Sequence, residues 1–88
     1  MGILIVDDSA DDRLLLQSIL SAAGYDHLLV ADSAAAAFRL LGLEDGKHGA
    51  ATRVDLILMD IVMPEMSGIE ACRQIKAVER FRDTPIMM

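Results

Sequence analysis

The chain has few residues that could cross-link it and no segment that could cross a membrane. Its 88 residues include one cysteine, Cys72, so an internal disulfide is excluded and a reducing compartment is predicted. No apolar run approaches the 18 residues of a transmembrane helix. Residues 1–4 carry no basic leader, and Val6 stands where a myristoylation motif needs serine or threonine. These absences favour a cytoplasmic protein.

Basic residues are also scarce. Lysine and arginine number 8 against 14 acidic residues, which gives a formal net charge of −6. This balance argues against nucleic acid as a direct partner, and there is no polybasic patch for a membrane surface. The chain also lacks a Ser-His-Asp set, a glycine-rich phosphate loop and a CxxC pair. We therefore do not expect it to be an enzyme.

Apolar residues, in contrast, are abundant. They make up 53% of a chain that is long enough for one domain only. A domain of this size buries roughly 60% of its unfolded surface, so its core is modest. The composition predicts strands that are buried on both faces, or a surface that contacts further protein.

Strand and helix patterns alternate along the chain. Strands are predicted at residues 3–7, 28–31 and 54–59, and residues 85–88 look like the opening of a fourth. Helices are predicted to begin at Ser9 and Ser33. Residues 42–53 are polar and contain glycine, which predicts a loop.

A third helix is predicted over residues 69–78. Ser67 and Glu70 before and within it have the spacing of a capping box. Its predicted apolar face contains Ile69, Cys72, Ile75 and Val78. Cys72 is interpreted as a small buried apolar residue rather than a reactive thiol.

The order β-α-β-α-β-α-β predicts a doubly wound α/β fold with a parallel sheet and helices on both faces. Ligands bind in such sheets at the carboxyl ends of the strands. The first strand stops on Asp7 and Asp8, and the third stops on Asp60. If these strands are neighbours, three carboxylates converge there and repel one another unless a hard cation such as Mg²⁺ sits among them.

Four segments carry a resemblance to a known family. They are ILIVDDS at 3–9, DLILMDIVMPEMSG at 55–68, the helix at 69–78 and TPIMM at 84–88. Together they resemble the receiver domain of two-component response regulators. The resemblance implies a flavodoxin-like sheet of strand order 2-1-3-4.

The resemblance also implies roles for particular residues. Asp60 would accept a phosphoryl group from a histidine kinase or a phosphotransfer protein. Asp7, Asp8 and Asp60 would hold Mg²⁺, with Asp8 as the member of the acidic pair that binds it directly. The backbone carbonyl of Val62 would complete the protein ligands.

Residues 1–88 are expected to form an incomplete receiver domain that lacks the region after the start of the fourth strand. The family's hydroxyl residue and lysine would both fall after Met88, so phosphorylation of this chain is expected to be slow. The apolar sides of Ile3, Ile5, Leu56 and Leu58 are expected to lose their cover. We therefore expect self-association through that face or through the strand edge at residues 85–88.

Two other functions remain open. The first is a phosphorylation-incompetent fragment that acts as a protein-interaction module. The second is an aspartate-nucleophile phosphatase, although that family has Asp-x-Asp where Asp7 and Asp8 are adjacent here. Acids and histidines away from the strand ends are interpreted as caps or solvated surface: Asp11, Asp12, Glu65, Glu70, His27 and His48.

Overall fold

The computed structural model describes residues 1–43 and 54–88, and its elements alternate as the sequence predicts. The predicted loop over residues 42–53 therefore lies mostly outside the described residues. The strands are β1 (Gly2–Val6), β2 (His27–Ala31), β3 (Leu56–Met59) and β4 (Ile86–Met87). The helices are α1 (Ala10–Ala22), α2 (Ala34–Leu41) and α3 (Gly68–Lys76), with a short 3₁₀ turn at Glu79–Phe81.

The strands form one parallel sheet in the order β2-β1-β3-β4. The predicted flavodoxin-like order 2-1-3-4 is confirmed. In the register, Ile3 lies beside Leu28 on one side and Leu56 on the other. Because β1 and β3 are adjacent and parallel, the residues that follow them lie at the same edge of the sheet.

The main core lies on the face of the sheet that packs against α2 and α3. Leu4 of β1 and Ile57 of β3, both 0% exposed, belong to this cluster. Phe38 and Leu41 from α2 and Ile75 from α3 pack with them. Side chains alternate along a strand, so Ile3 and Ile5 face the opposite side, where α1 contacts β1 and β2.

The expectation that Ile3 and Ile5 lack cover is wrong. They are 1% and 0% exposed, because α1 lies across β1 and β2 and shields them. Leu56 and Leu58 of β3 are only half-buried, as expected. Helix α1 itself has no buried residue, so its outer side remains open. None of the described helices is long and apolar enough to span a membrane.

Serine hydroxyls begin the three α-helices of the described residues, as predicted. Each hydroxyl oxygen accepts a hydrogen bond from the backbone N–H three residues further on, which satisfies a donor that the helix leaves unpaired. The pairs are Ser9 with Asp12 at 3.3 Å, Ser33 with Ala36 at 3.1 Å and Ser67 with Glu70 at 3.3 Å.

Only half of the capping box predicted at Ser67 and Glu70 forms. The Glu70 carboxylate accepts hydrogen bonds from Arg73, at 2.5 and 3.1 Å, and from Gln74 at 3.1 Å, instead of turning back to Ser67. The hydrogen bond from Arg73, followed by that from Gln74, lowers the pKa of Glu70. The hydrogen bond to Glu70 in turn raises the pKa of Arg73. The start of α3 therefore depends on the Ser67 hydroxyl.

The apolar face predicted for α3 is wrong at Ile69, which is 61% exposed. The residues that α3 buries are Gly68, Ala71 and Ile75. The backbone of Gly68 packs directly against that of Asp60, and this contact fixes the rotation of the helix. Ile69, one position further on, is thereby turned outward. Cys72 is half-buried, close to its predicted position.

Candidate functional site

Three carboxylates converge at the carboxyl edge of the sheet. Asp7 and Asp8 follow β1 and Asp60 follows β3, and one oxygen from each lies within 4.8 Å of the others. The predicted convergence is therefore found in the structure. Asp8 is exposed, Asp60 is half-buried, and Asp7 is 9% exposed.

Hydrogen bonds fix both the backbone and the side chain of Asp7. Its backbone N–H donates to the carbonyl of Ala31 in β2 at 3.1 Å. One of its carboxylate oxygens accepts a hydrogen bond from the N–H of Ser9 at 2.9 Å, which closes the turn from β1 into α1. The Asp7 carboxylate therefore helps to shape the turn that carries Asp8.

Asp60 is fixed through its backbone. Its N–H donates to the carbonyl of Val6 at 2.8 Å, which continues the pairing of β1 and β3 up to the site. Its carboxylate accepts a long hydrogen bond, 3.4 Å, from the N–H of Val62. Val62 is 79% exposed, in the turn that follows Asp60. The role of the Val62 carbonyl as a ligand stays a prediction.

The turn after Asp60 has a strained backbone. Glu65 has a φ of 71°, which is uncommon for a residue other than glycine. The N–H of Met66 donates to the carbonyl of Pro64 at 2.8 Å across it, so the three residues form a tight γ-type turn. Met63 is 8% exposed and belongs to the core cluster, so one side of the turn is anchored.

Gly68 is a residue of the site that sequence reasoning missed. A Cβ atom at this position would lie 2.1 Å from the carbonyl oxygen of Asp60. The N–H of Gly68 donates to the carbonyl of Ile61 at 2.8 Å. Only glycine lets the first turn of α3 approach the backbone of Asp60 so closely. The available signal was the glycine directly after the capping Ser67.

Arg13 was also missed. Its side chain returns from α1 to the end of β1, where Nη1 donates to the carbonyl oxygen of Asp7 at 2.7 Å. Asp11, Asp12, Glu65 and Glu70, which were interpreted as caps or surface, do not belong to the cluster. His27 is exposed and lies 3.3 Å from Asp26, while His48 is outside the described residues.

The geometry determines what the site can bind. Three carboxylates lie within 4.8 Å of one another, and like charges at such separations repel. Their oxygens are hard ligands of the kind that Mg²⁺ and Mn²⁺ take in proteins. The half-buried carboxylate of Asp60 remains accessible to a reaction partner.

This combination of a doubly wound parallel sheet and an acidic site beyond β1 and β3 defines a flavodoxin-like α/β domain with a candidate cation site. The family model of the response regulator receiver domain matches residues 3–88. The chain belongs to this family.

Relatives with curated functions support this assignment. The chain is 41% identical over 90 residues to the two-component response regulator ORR1 of Oryza sativa, covering 98% of this chain and 38% of the relative. It is 34% identical over 88 residues to the chemotaxis protein CheY1 of Helicobacter pylori, covering 100% of this chain and 65% of the relative. The chain thus spans less than two thirds of the length of these relatives.

Solved structures show the same fold. A signal receiver domain of a signal transduction histidine kinase from Syntrophus aciditrophicus matches with a TM-score of 0.81 at 36% identity, over 97% of this chain and 58% of the other. The Mn(2+)-bound form of response regulator Rcp1 matches with a TM-score of 0.80 at 31% identity, over 97% of this chain and 61% of the other.

Proposed function

We propose that the chain is a phosphoacceptor module of a two-component system, in which Asp60 takes a phosphoryl group from a histidine kinase or a phosphotransfer protein in the presence of Mg²⁺. The observation that carries this proposal is the convergence of Asp7, Asp8 and Asp60 within 4.8 Å. Membership of the receiver family supports it.

The transfer follows from the exposure and chemistry of Asp60. Asp60 is only half-buried, and in this proposal its carboxylate attacks a phosphorus atom in line with the leaving group. As the new P–O bond forms, the P–N bond of a phosphohistidine breaks and the ring nitrogen leaves with the electron pair. The product is an acyl phosphate on Asp60.

The acidic residues fit a divalent cation. Asp8 and Asp60 would bind Mg²⁺ directly, together with the Val62 carbonyl. One oxygen of Asp7 already accepts the Ser9 N–H, so Asp7 would supply negative charge beside the ion. When bound, Mg²⁺ would neutralise charge on the oxygens of the transferred group. The Mn(2+)-bound state of the similar protein Rcp1 supports a divalent ion here.

Asp60→Asn should abolish phosphorylation. The chain is incubated with acetyl phosphate and Mg²⁺, and intact mass reports the gain of one phosphoryl group. The wild type should be labelled slowly, whereas the variant should not be labelled, because a side-chain amide is a much poorer nucleophile than a carboxylate. Asp83→Asn, an exposed acid near β4, is the matched control and should be labelled like the wild type.

The labelling experiment separates the two receiver functions. If Asp60→Asn is still labelled, the site assignment is wrong. If the folded wild type binds Mg²⁺ but takes no label from either acetyl phosphate or a phosphorylated kinase, the chain acts as an interaction module instead. Turnover of acetyl phosphate without stable labelling would favour a phosphatase.

The 88-residue chain should also self-associate. Within the described residues no strand pairs with the outer edge of β4, where Met87 is 61% exposed. Leu15 on the outer side of α1 is 58% exposed. An unpaired strand edge and exposed apolar side chains both favour association between copies. Sedimentation at low and high concentration should show a concentration-dependent increase in mass.

Three lysine substitutions locate the contact. Met87→Lys tests the β4 edge, Leu15→Lys tests α1, and Ile69→Lys on α3 is the control with the same 61% exposure as Met87. One of the first two should reduce association, since a charge at the contact must be desolvated. A wild-type chain that stays monomeric at all concentrations would contradict the proposal.

A further inference from the structure

Arg13 lies beside the acidic cluster, but its guanidinium is directed at the backbone. Nη1 donates to the Asp7 carbonyl at 2.7 Å, and the contact is partly buried. Among residues 1–43 and 54–88, Arg13 forms no ion pair with the three acids. The interaction therefore differs from the ion pair that an arginine next to three carboxylates would ordinarily make.

This bond completes the anchoring of the turn from β1 into α1. The Asp7 N–H is held by Ala31 of β2, the Asp7 carboxylate by the N–H of Ser9, and the Asp7 carbonyl by Arg13. The Asp7 carbonyl belongs to the peptide unit that leads to Asp8. Asp8 is exposed, so the place of its carboxylate depends on that backbone.

We infer that Arg13 is a positioning residue, which holds the peptide between Asp7 and Asp8 so that the Asp8 carboxylate faces Asp60 in the geometry that a divalent cation requires. This inference rests on the proposed Mg²⁺ site. In this role Arg13 would be neither a ligand of the ion nor a contact of the phosphoryl group. It acts through the backbone, as partners outside the ligand shell act on metal ligands.

The positioning role and a simple charge effect predict opposite results. A positive charge near the cluster competes with a cation, so its removal would by itself raise divalent affinity. Loss of the hydrogen bond releases the turn and lowers divalent affinity. Because the guanidinium donates to the Asp7 carbonyl and pairs with none of the described carboxylates, we expect the positioning effect to be the larger.

The test is a titration of Mg²⁺ and of Mn²⁺ into the wild-type chain, Arg13→Gln and Arg39→Gln. Amide shifts report Mg²⁺ binding, and paramagnetic broadening reports where Mn²⁺ binds. Arg13→Gln should lower the affinity by about 10-fold, at the low end of the effect of removing such outer partners. Arg39→Gln makes the same charge change on an exposed residue near the end of α2 and should leave the affinity within about 2-fold.

Further measurements separate positioning from folding. Urea denaturation without metal gives the stability of each variant. The affinity is then measured without urea, where circular dichroism should show that Arg13→Gln is fully folded, and its affinity for the ion should still be lower than that of the wild type. Without metal, Arg13→Gln should also shift the amide signals of Asp8 and Ser9. If Arg13→Gln does not fold, Arg13→Lys replaces it: the charge stays but the reach and the planar donor set are lost, so affinity should still fall.

The outcomes are distinct. Unchanged or increased affinity in the folded Arg13 variant overturns the inference, while Asp8→Asn still loses binding and leaves the proposed function intact. The proposed site, and the inference with it, is overturned if the wild-type chain binds neither ion. The same holds if the wild type and Asp8→Asn bind the ions with equal affinity. Reduced affinity in the Arg13 variant alone, with Arg39→Gln unchanged, supports the inference.

Discussion

Asp8→Asn should lower the affinity for Mg²⁺ by at least about 10-fold, which corresponds to about 1.4 kcal/mol. The substitution keeps the shape of the side chain and removes one of the three negative charges that face one another within 4.8 Å. An amide oxygen is a weaker ligand for Mg²⁺ than a carboxylate oxygen. Titration of Mg²⁺ with amide signals followed at Asp7, Asp8 and Asp60 measures the change.

The same substitution should slightly raise the free energy of unfolding when metal is absent. The three carboxylates lie within 4.8 Å of one another, and Asp8→Asn removes one of these like charges. Urea denaturation with and without Mg²⁺ measures both effects. An increase in stability together with a loss of binding would identify Asp8 as a residue that is kept for function at some cost in stability.

Asp12→Asn is the matched control for Asp8→Asn. Asp12 lies in the first turn of α1, is exposed and is outside the carboxylate cluster. Its substitution removes one charge from a nearby exposed residue, so it should change Mg²⁺ affinity by less than about 2-fold because exposed charges are screened. Equal losses in the two variants would show that general charge, rather than a site, attracts the ion.

The sequence was sufficient to predict a parallel sheet and the acidic residues at the ends of its strands. Apolar runs that end on Asp7 and Asp60, with helices between them, leave few topologies that right-handed crossovers allow. The order 2-1-3-4 itself came from the resemblance to receiver domains. Once β1 and β3 are neighbours, the acids must meet, and the structure places them together.

Side-chain direction was harder to predict, because it depends on contacts between distant parts of the chain. Periodicity placed Ile69 on the buried face of α3, but the docking of Gly68 against Asp60 sets the rotation of that helix. Glu70 has the spacing of a capping box, but Arg73 competes for its carboxylate. Both patterns correctly predicted the helix, but they wrongly predicted burial of Ile69 and a return of the Glu70 side chain to Ser67.

Arg13 illustrates a second limit. Nothing in the spacing of the sequence distinguishes an arginine that binds a carbonyl six residues earlier from one on a solvated helix face. The bond exists because the turn from β1 into α1 brings the Asp7 carbonyl under the side chain. Residues that support a site through the backbone can therefore be recognised only in the structure, whereas the acids of the site can be predicted from the sequence.

Gly68→Ala should destabilise the chain by about 2–3 kcal/mol, in the upper part of the range for overpacking in a tightly packed region. The new Cβ would lie 2.1 Å from the Asp60 carbonyl oxygen and 2.9 Å from its carbon, and both are backbone atoms that cannot rotate away. The gain in helix propensity from glycine to alanine, at most about 1 kcal/mol, does not offset this clash. Urea denaturation measures the loss.

The Gly68 clash should also affect the site, which a purely local loss of stability would not. To accommodate alanine, α3 must withdraw from Asp60 or Asp60 must move from its place beside Val6, so Mg²⁺ affinity should fall in the fraction that remains folded. Gly24→Ala is the matched control: its φ is +101°, but beyond Gly24 and its chain neighbours no atom of the described residues lies within 4 Å of the added Cβ. Backbone strain there should cost about 1–2 kcal/mol and leave Mg²⁺ affinity unchanged. If Gly68→Ala matches Gly24→Ala in both measurements, then α3 yields easily, and the close approach of its first turn to Asp60 does not hold the acid in place.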